Sequence, residues 1–236
     1  MSAMLVASND RRRKVGDLGG AMTGLVLHGY WRSSAAYRVR IGLNLKGIAW
    51  THVTHDLRTD AHRAPDYLAL DPQGLVPTLE TPDGVLTQSL AILEWLEERY
   101  PGPPLLPDTP GARAIVRAMA QIVAADVHPL NNLRVLGVLR RDLGASEAQV
   151  QAWIHKWIAQ GFEALEALIA AHGGQFCFGD AVSVADCALV PQVYNAERFG
   201  TDLAPYPNLV RAARAAAALP AFAEAHPSRQ PDADPA

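Results

Sequence analysis

The chain has 236 residues, enough to bury a substantial core as one large domain or two modest ones. Lys plus Arg number 21 against 24 Asp plus Glu, and the net charge of -3 gives no electrostatic pull toward nucleic acid or an anionic membrane. Two cysteines, Cys177 and Cys187, argue against a disulfide framework or a metal motif and fit a cytoplasmic location, and no apolar run approaches the roughly 20 residues that a membrane-spanning helix needs.

Residues 1–23 contain Arg11-Arg12-Arg13-Lys14 but no following apolar core of the kind a secretory signal requires. With Asp10 and Asp17 nearby and little periodicity, they read as a disordered N-terminal extension, with Met22 an alternative start. A nucleic-acid role for the basic tetrad is the sharper alternative to a solvated tail.

Leu25-Val26-Leu27 is strand-like, and a polar turn then leads into a helix that Lys46 and Gly47 end. A second strand follows around Trp50-Thr51-His52-Val53. Ser33 or Ser34 can cap the helix, whose Ala36, Val39 and Leu43 recur at helical spacing and leave Arg38 and Asn44 to face other groups. Hydroxyls and free N–H groups converge where this helix begins, a favourable place for an anion such as a thiolate. Capping preference alone also accounts for two serines there.

Residues 56–70 read as a polar loop and a short helix, closed by the turn Asp71-Pro72-Gln73-Gly74. Residues 75–80 are strand-like except for Pro77, which belongs at an edge or a strand start. A cis Val76-Pro77 bond would turn the backbone of Val76 outward, toward a peptide ligand. Pro82-Asp83-Gly84 signals a hairpin with Val85-Leu86-Thr87 returning. Gln88-Ser89 then opens a helix with Leu90, Leu93 and Leu96 as its core stripe, which Pro101 ends. The order is βαβαββα.

Residues 101–110, with Pro101, Pro103, Pro104, Pro107 and Pro110, form a semi-rigid linker, and everything beyond reads as helical. A long pattern over residues 112–141 is interrupted only at Pro129. Ser146 and Gln149 form a capping box for a helix with Val150, Trp153, Trp157, Leu165 and Leu168 inward, ended by Gly173-Gly174. Ser183 and Asp186 form another before Ala188-Leu189-Val190, residues 209–219 make one more helix, and residues 228–236 read as a flexible tail.

This order resembles the cytosolic glutathione transferases. Arg32-Ser33-Ser34, Tyr37-Arg38-Val39-Arg40-Ile41, Leu75-Val76-Pro77-Thr78-Leu79, Gln88-Ser89-Leu90-Ala91-Ile92 and Asn195-Ala196-Glu197-Arg198-Phe199 are similar to the zeta class, whose members include maleylacetoacetate and maleylpyruvate isomerases. The resemblance implies α/β plus all-α architecture: a thioredoxin-like glutathione-binding domain over 24–104 and an all-helical domain over 105–227. It implies glutathione as cofactor, a maleyl dicarboxylic acid as small-molecule substrate, and a homodimer. On it, Ser33 and Ser34 are the catalytic pair, with Ala35, His62, Val76, Pro77, Gln88, Ser89, His128 and Asn132 completing the glutathione site. Arg32, Arg134 and Arg198 then bind the substrate. Tyr30 is a rival to the serines, because other classes of the fold use a tyrosine soon after the first strand. Ala35 stands where the zeta pattern usually has cysteine, which removes any step that needs a second thiol. Two other activities share these residues: glutathione transfer or dehalogenation on small electrophiles, and non-catalytic binding as an adaptor.

Overall fold

The computed structural model describes residues 24–234, so the expected extension over 1–23 and the last two residues lie outside the described part. Strand β1 (Leu25–Gly29) is central among the described strands, in a sheet ordered β2-β1-β3-β4. It pairs in parallel with β2 (Trp50–Thr54) and antiparallel with β3 (Thr78–Thr81), which pairs antiparallel with β4 (Gly84–Thr87). Parallel pairing of β1 and β2 demands a crossover, and α1 (Ser34–Leu45) supplies it. Ser33 caps α1, and Gly47 follows it at φ 65°, a conformation glycine adopts without steric cost.

The expected stripe of Ala36, Val39 and Leu43 is fully buried. So, almost completely, are Arg38 and Arg40. A short helix α2 (Pro65–Leu70) leads to the turn at Asp71, whose carboxylate accepts the N–H groups of Gln73 and Leu75. The sheet ladder starts only at Thr78, so the strand-like stretch before it stands outside the sheet, with the Val76–Pro77 peptide cis. Helix α3 (Ser89–Arg99) closes the first unit in the expected order.

The proline-rich linker is fastened by a buried ion pair. Lys46 Nζ lies 2.7 Å from Glu97 Oε2 and donates to the Pro103 carbonyl at 2.8 Å. Glu97 also accepts the N–H groups of Leu105 and Leu106.

Beyond it come α4 (Pro110–Gln121), α5 (Leu133–Arg141), α6 (Glu147–His172), α7 (Val184–Arg198), α8 (Pro207–Ala217) and α9 (Pro220–Ala225). Both expected capping boxes are present, at Ser146 with Gln149 and at Ser183 with Asp186. The break expected at Pro129 begins earlier, with a π turn over Ile122–Val127 and a 3-10 turn over His128–Asn131. A proline ring conflicts with the carbonyl four residues back, so the preceding turn widens before Pro129 is reached.

Two features at the C-terminus differ from the sequence reading. Helix α9 is an additional element, and its backbone carbonyls are held by α1: Asn44 donates to Ala221 O at 3.0 Å and Arg40 Nε to Ala225 O at 3.0 Å. The segment read as a flexible tail from Ser228 is docked over its described part. Gln230 is buried and donates to the carbonyls of Glu224 and His226, and Asp232 accepts the N–H of Trp31 at 2.9 Å. Polar composition conceals such specific partners.

Candidate active site

A cavity of about 430 Å³ lies between the two halves of the chain. The N-terminal half contributes Ala35, Val76, Pro77, Gln88 and Ser89 to its wall. The helical half contributes His128 from the interrupted stretch after α4, and Asn132 and Arg134 from the cap and first turn of α5. Arg32, Ser33, Ser34, His62 and Arg198 are not part of this wall.

Gln88 has φ 67°, a left-handed conformation that costs a non-glycine residue about 1–3 kcal/mol. Its side chain does not cap α3 and instead donates to Gln73 Oε1 at 2.7 Å. The first-turn residues Ser89, Leu90 and Ala91 line the cavity. An uncapped helix start of this kind favours an anion through its free N–H groups and its dipole.

Arg38 is the residue that sequence reasoning left without a role. It is 2% exposed, lines the same cavity and donates from Nη1 to Ser89 Oγ at 3.1 Å, while its Nε and Nη2 have no partner. Desolvation brings its pKa down to about 10, so it remains a cation at neutral pH. Among the described residues no carboxylate lies within ion-pair distance of it. Because Ser89 Oγ accepts from Arg38, its own proton is what it offers to the cavity. The available signal was a cation one turn into a helix that opens with two serines.

His128 is pushed down to about 3 by burial, and further by the charges of Arg38 and Arg134. It is therefore a neutral imidazole at physiological pH. Asn132 Oδ1 accepts the N–H of Arg134, capping α5 and leaving the amide nitrogen as its free donor.

Ser33 is half-buried at the start of α1, where its Oγ accepts from Ala36 N–H at 3.2 Å. The Ser33 hydroxyl proton is left to donate outward. Ser34 is the first residue of the helix and is 6% exposed. Tyr30 is buried, and its hydroxyl oxygen is enclosed without a partner. His62 sits on the 3-10 turn Ala61–Arg63, with a pKa lowered by burial and then by Arg63.

Arg32 and Arg198 form a second cationic group. The Arg198 pKa is lowered by desolvation and then by the Arg32 charge, with Tyr194 and Tyr30 acting in the opposite sense. Each guanidinium lies over an aromatic ring, Arg32 over Trp31 at 5.1 Å and Arg198 over Phe199 at 4.9 Å. Among the described residues neither has a carboxylate within ion-pair distance.

Residues 27–104 match the glutathione S-transferase N-terminal domain family, and residues 144–225 match the glutathione S-transferase C-terminal domain family. A maleylpyruvate isomerase of Ralstonia is 50% identical over 209 residues, covering 87% of this chain and 98% of the relative. The maleylacetoacetate isomerase of Pseudomonas aeruginosa is also 50% identical over 209 residues, covering 87% and 97%. Among solved structures, a holo maleylpyruvate isomerase, a bacterial glutathione S-transferase of the zeta class, superimposes with a TM-score of 0.87 at 47% identity, covering 89% of this chain and 100% of that one. A maleylacetoacetate isomerase of Methylobacterium extorquens with bound malonate and GSH gives 0.86 at 46% identity, again covering 89% and 100%. On these matches the chain belongs to the glutathione S-transferase family, in its zeta class.

Proposed function

We propose that the chain catalyses the glutathione-dependent cis–trans isomerisation of a maleyl dicarboxylic acid, maleylacetoacetate or maleylpyruvate, to its fumaryl isomer. The observation that carries this reading is the pair Arg32 and Arg198, two guanidiniums without a carboxylate partner among the described residues, with Arg32 directly before Ser33. An adaptor has no need of such charge. A dicarboxylate does, because guanidinium forks match carboxylates in geometry as well as sign.

The cavity residues fit glutathione. The orphaned Nε and Nη2 of Arg38, the Ser89 hydroxyl and the open start of α3 suit the γ-glutamyl carboxylate, with Gln88 beside them. Val76, just outside the sheet ladder before Pro77, suits the cysteinyl backbone, as an added strand would. His128 and Asn132 complete the wall that would hold the tripeptide, Ala35 lines it next to Ser34, and His62, outside the wall, is assigned to the same site on the family resemblance. When bound, glutathione supplies a thiolate that adds to the cis double bond, allows rotation and leaves again unchanged.

Ser33 would donate a hydrogen bond from its hydroxyl to the thiolate sulfur, with Ser34 the second donor at the same helix start. Lowering a thiol pKa by about 1.5 units requires about 2 kcal/mol, within reach of one or two hydroxyl hydrogen bonds and a helix N-terminus. Arg32, Arg198 and Arg134 seat the two carboxylates and balance the negative charge that develops on the ketone oxygen. Ala35 carries no thiol, so the chain's own residues provide no second nucleophile at this point. Assembly as a homodimer in the cytoplasm belongs to the same proposal and rests on the family resemblance.

The test follows the maleyl chromophore of both acids with and without glutathione, for wild type and Ser33→Ala. Isomerisation that requires glutathione, leaves its concentration unchanged and collapses in the variant supports the proposal. Untouched acids with glutathione consumed on halide substrates overturn it in favour of a transferase.

A further inference from the structure

The backbone of Trp31, immediately before Arg32 and Ser33, is held at both of its peptide groups by charged side chains. Its N–H donates to Asp232 Oδ2 at 2.9 Å, across 201 residues of sequence. Its C=O accepts from Arg40 Nη2 at 3.0 Å. Arg40 is itself fully buried and anchored by its Nε on Ala225 O, at the end of α9. Asp232 is held by a turn in which Ala233 N–H bonds to Gln230 O, with Gln230 buried against the carbonyls of Glu224 and His226.

The local fold does not fix this loop by itself. Residues 30–33 form a single turn, with Ser33 N–H on Tyr30 O at 3.0 Å, before α1 begins. Ser33 is tied into α1 through Ala36 N–H and Tyr37 N–H, whereas the Trp31 N–H and C=O take their bonds from Asp232 and Arg40, which set how the chain enters Arg32 and the helix start. Asp232 has a side chain only 10% exposed, so its hydrogen bond to Trp31 is charge-assisted and little screened by water. His52 Nε2 on β2 lies 3.7 Å from Asp232 Oδ1, too far for a hydrogen bond, so the bond to Trp31 N–H is the side-chain hydrogen bond of this carboxylate.

We propose that Asp232 is a positioning residue for Ser33 and Ser34: by holding the Trp31 N–H while Arg40 holds its C=O, the C-terminal tail sets the geometry in which the serines meet the glutathione thiol. The inference rests on the serine roles given under the proposed function. It adds that the serine site is incomplete without a segment from the far end of the chain.

The experiment uses full-length Asp232→Ala and Asp232→Asn with glutathione and the maleyl acid that wild type accepts. Asp232→Ala lowers kcat about tenfold, the scale of one charge-assisted hydrogen bond. It raises the pKa of bound glutathione, read from thiolate absorbance against pH, by about one unit. KM for glutathione stays within about twofold, because the Val76 and Ser89 cradle is untouched. Asp232→Asn keeps an acceptor for the Trp31 N–H and falls between wild type and Asp232→Ala in thiol pKa, at wild-type unfolding midpoint. Should Asp232→Ala not fold, Asp232→Asn decides: a raised thiol pKa supports the inference and a wild-type value overturns it. A folded Asp232→Ala with wild-type kcat and thiol pKa also overturns it, as does a loss of kcat and glutathione affinity in step with the folded fraction. A wild-type protein that neither binds glutathione nor isomerises either acid removes the functional reading itself, an outcome visible before any variant is made.

Discussion

The Arg38 guanidinium reaches from α1 to the Ser89 hydroxyl at 3.1 Å, joining two helices at the wall of the cavity while two of its nitrogens stay without a partner. A wholly buried cation with one neutral hydrogen bond is costly to the folded chain, since desolvation is only partly offset. A ligand carboxylate would offset it. Arg38→Met is therefore expected to weaken glutathione binding about tenfold to a hundredfold, the value of a hydrogen bond to a charged group, while leaving stability unchanged or increased. Calorimetric titration with glutathione and urea unfolding of the same preparation measure both. Reduced stability with undiminished affinity would make Arg38 a purely structural residue.

Ser33 has two roles, read by two different measurements. Its oxygen caps α1 through Ala36 N–H, and its proton is free to donate. Ser33→Ala loses both, and about 1 kcal/mol of helix stability goes with the cap. Ser33→Thr keeps cap and hydroxyl. The expected outcome is a bound thiol pKa raised by about one unit in Ser33→Ala and restored in Ser33→Thr, read by thiolate absorbance. Equal thiol pKa values in wild type and Ser33→Ala would pass the donor role to Ser34.

Lys46 and Glu97 carry side chains 0% and 9% exposed, and their pair fastens the linker through Pro103, Leu105 and Leu106. Removing one partner strands the other charge in a dry site, so Lys46→Met is expected to cost about 3–5 kcal/mol. The double variant Lys46→Met with Glu97→Gln should lose less than the sum of the two single changes, because no unpaired charge remains. Urea midpoints of the four proteins close the cycle. Simple additivity would mean that the two side chains act independently.

The order of elements was legible because each has a local cause. Ser33 caps α1, Pro77 keeps its stretch out of the ladder, and Ser146 and Ser183 open α6 and α7 through side-chain bonds to their own first turns. What stayed hidden depends on contacts distant in sequence. In α6 the expected inward face is borne out at Val150 and Leu165, but Trp153, Trp157 and Leu168 are only partly buried, and Ile154, Ile158, Phe162 and Ile169 fill the core instead. The wide Trp153 indole is only partly covered and packs at the margin of the core, with the Trp157 ring against it edge-on. Arg38 and Arg40 look solvent-facing until α3 and α9 cover them. The tail looks loose because Asp232 finds its partner 201 residues away. For the site, the stretches around Val76 and Gln88 carry their own backbone signature, but the charge that completes them comes from a helix read as a simple stripe.

His128 makes stability depend on pH in a direction that follows from its surroundings. An unfolded histidine titrates near 6.5, and in the fold burial, Arg38 and Arg134 bring it down to about 3. Between those values the unfolded chain binds a proton that the folded chain refuses. The linkage relation then requires stability to fall as pH drops below about 6.5, by about 1.4 kcal/mol per pH unit for this one group. His128→Gln stays neutral and polar at every pH, so it lacks this term. His52, His55, His62 and His226 are also lowered by burial and act in the same sense, but they remain in both proteins and cancel in the comparison. Relative to its value at pH 7.5, wild type should lose about 2 kcal/mol more than His128→Gln by pH 5. Urea midpoints at the two pH values provide the number. Parallel losses in the two proteins would show that His128 accepts its proton in the folded state as readily as in the unfolded chain.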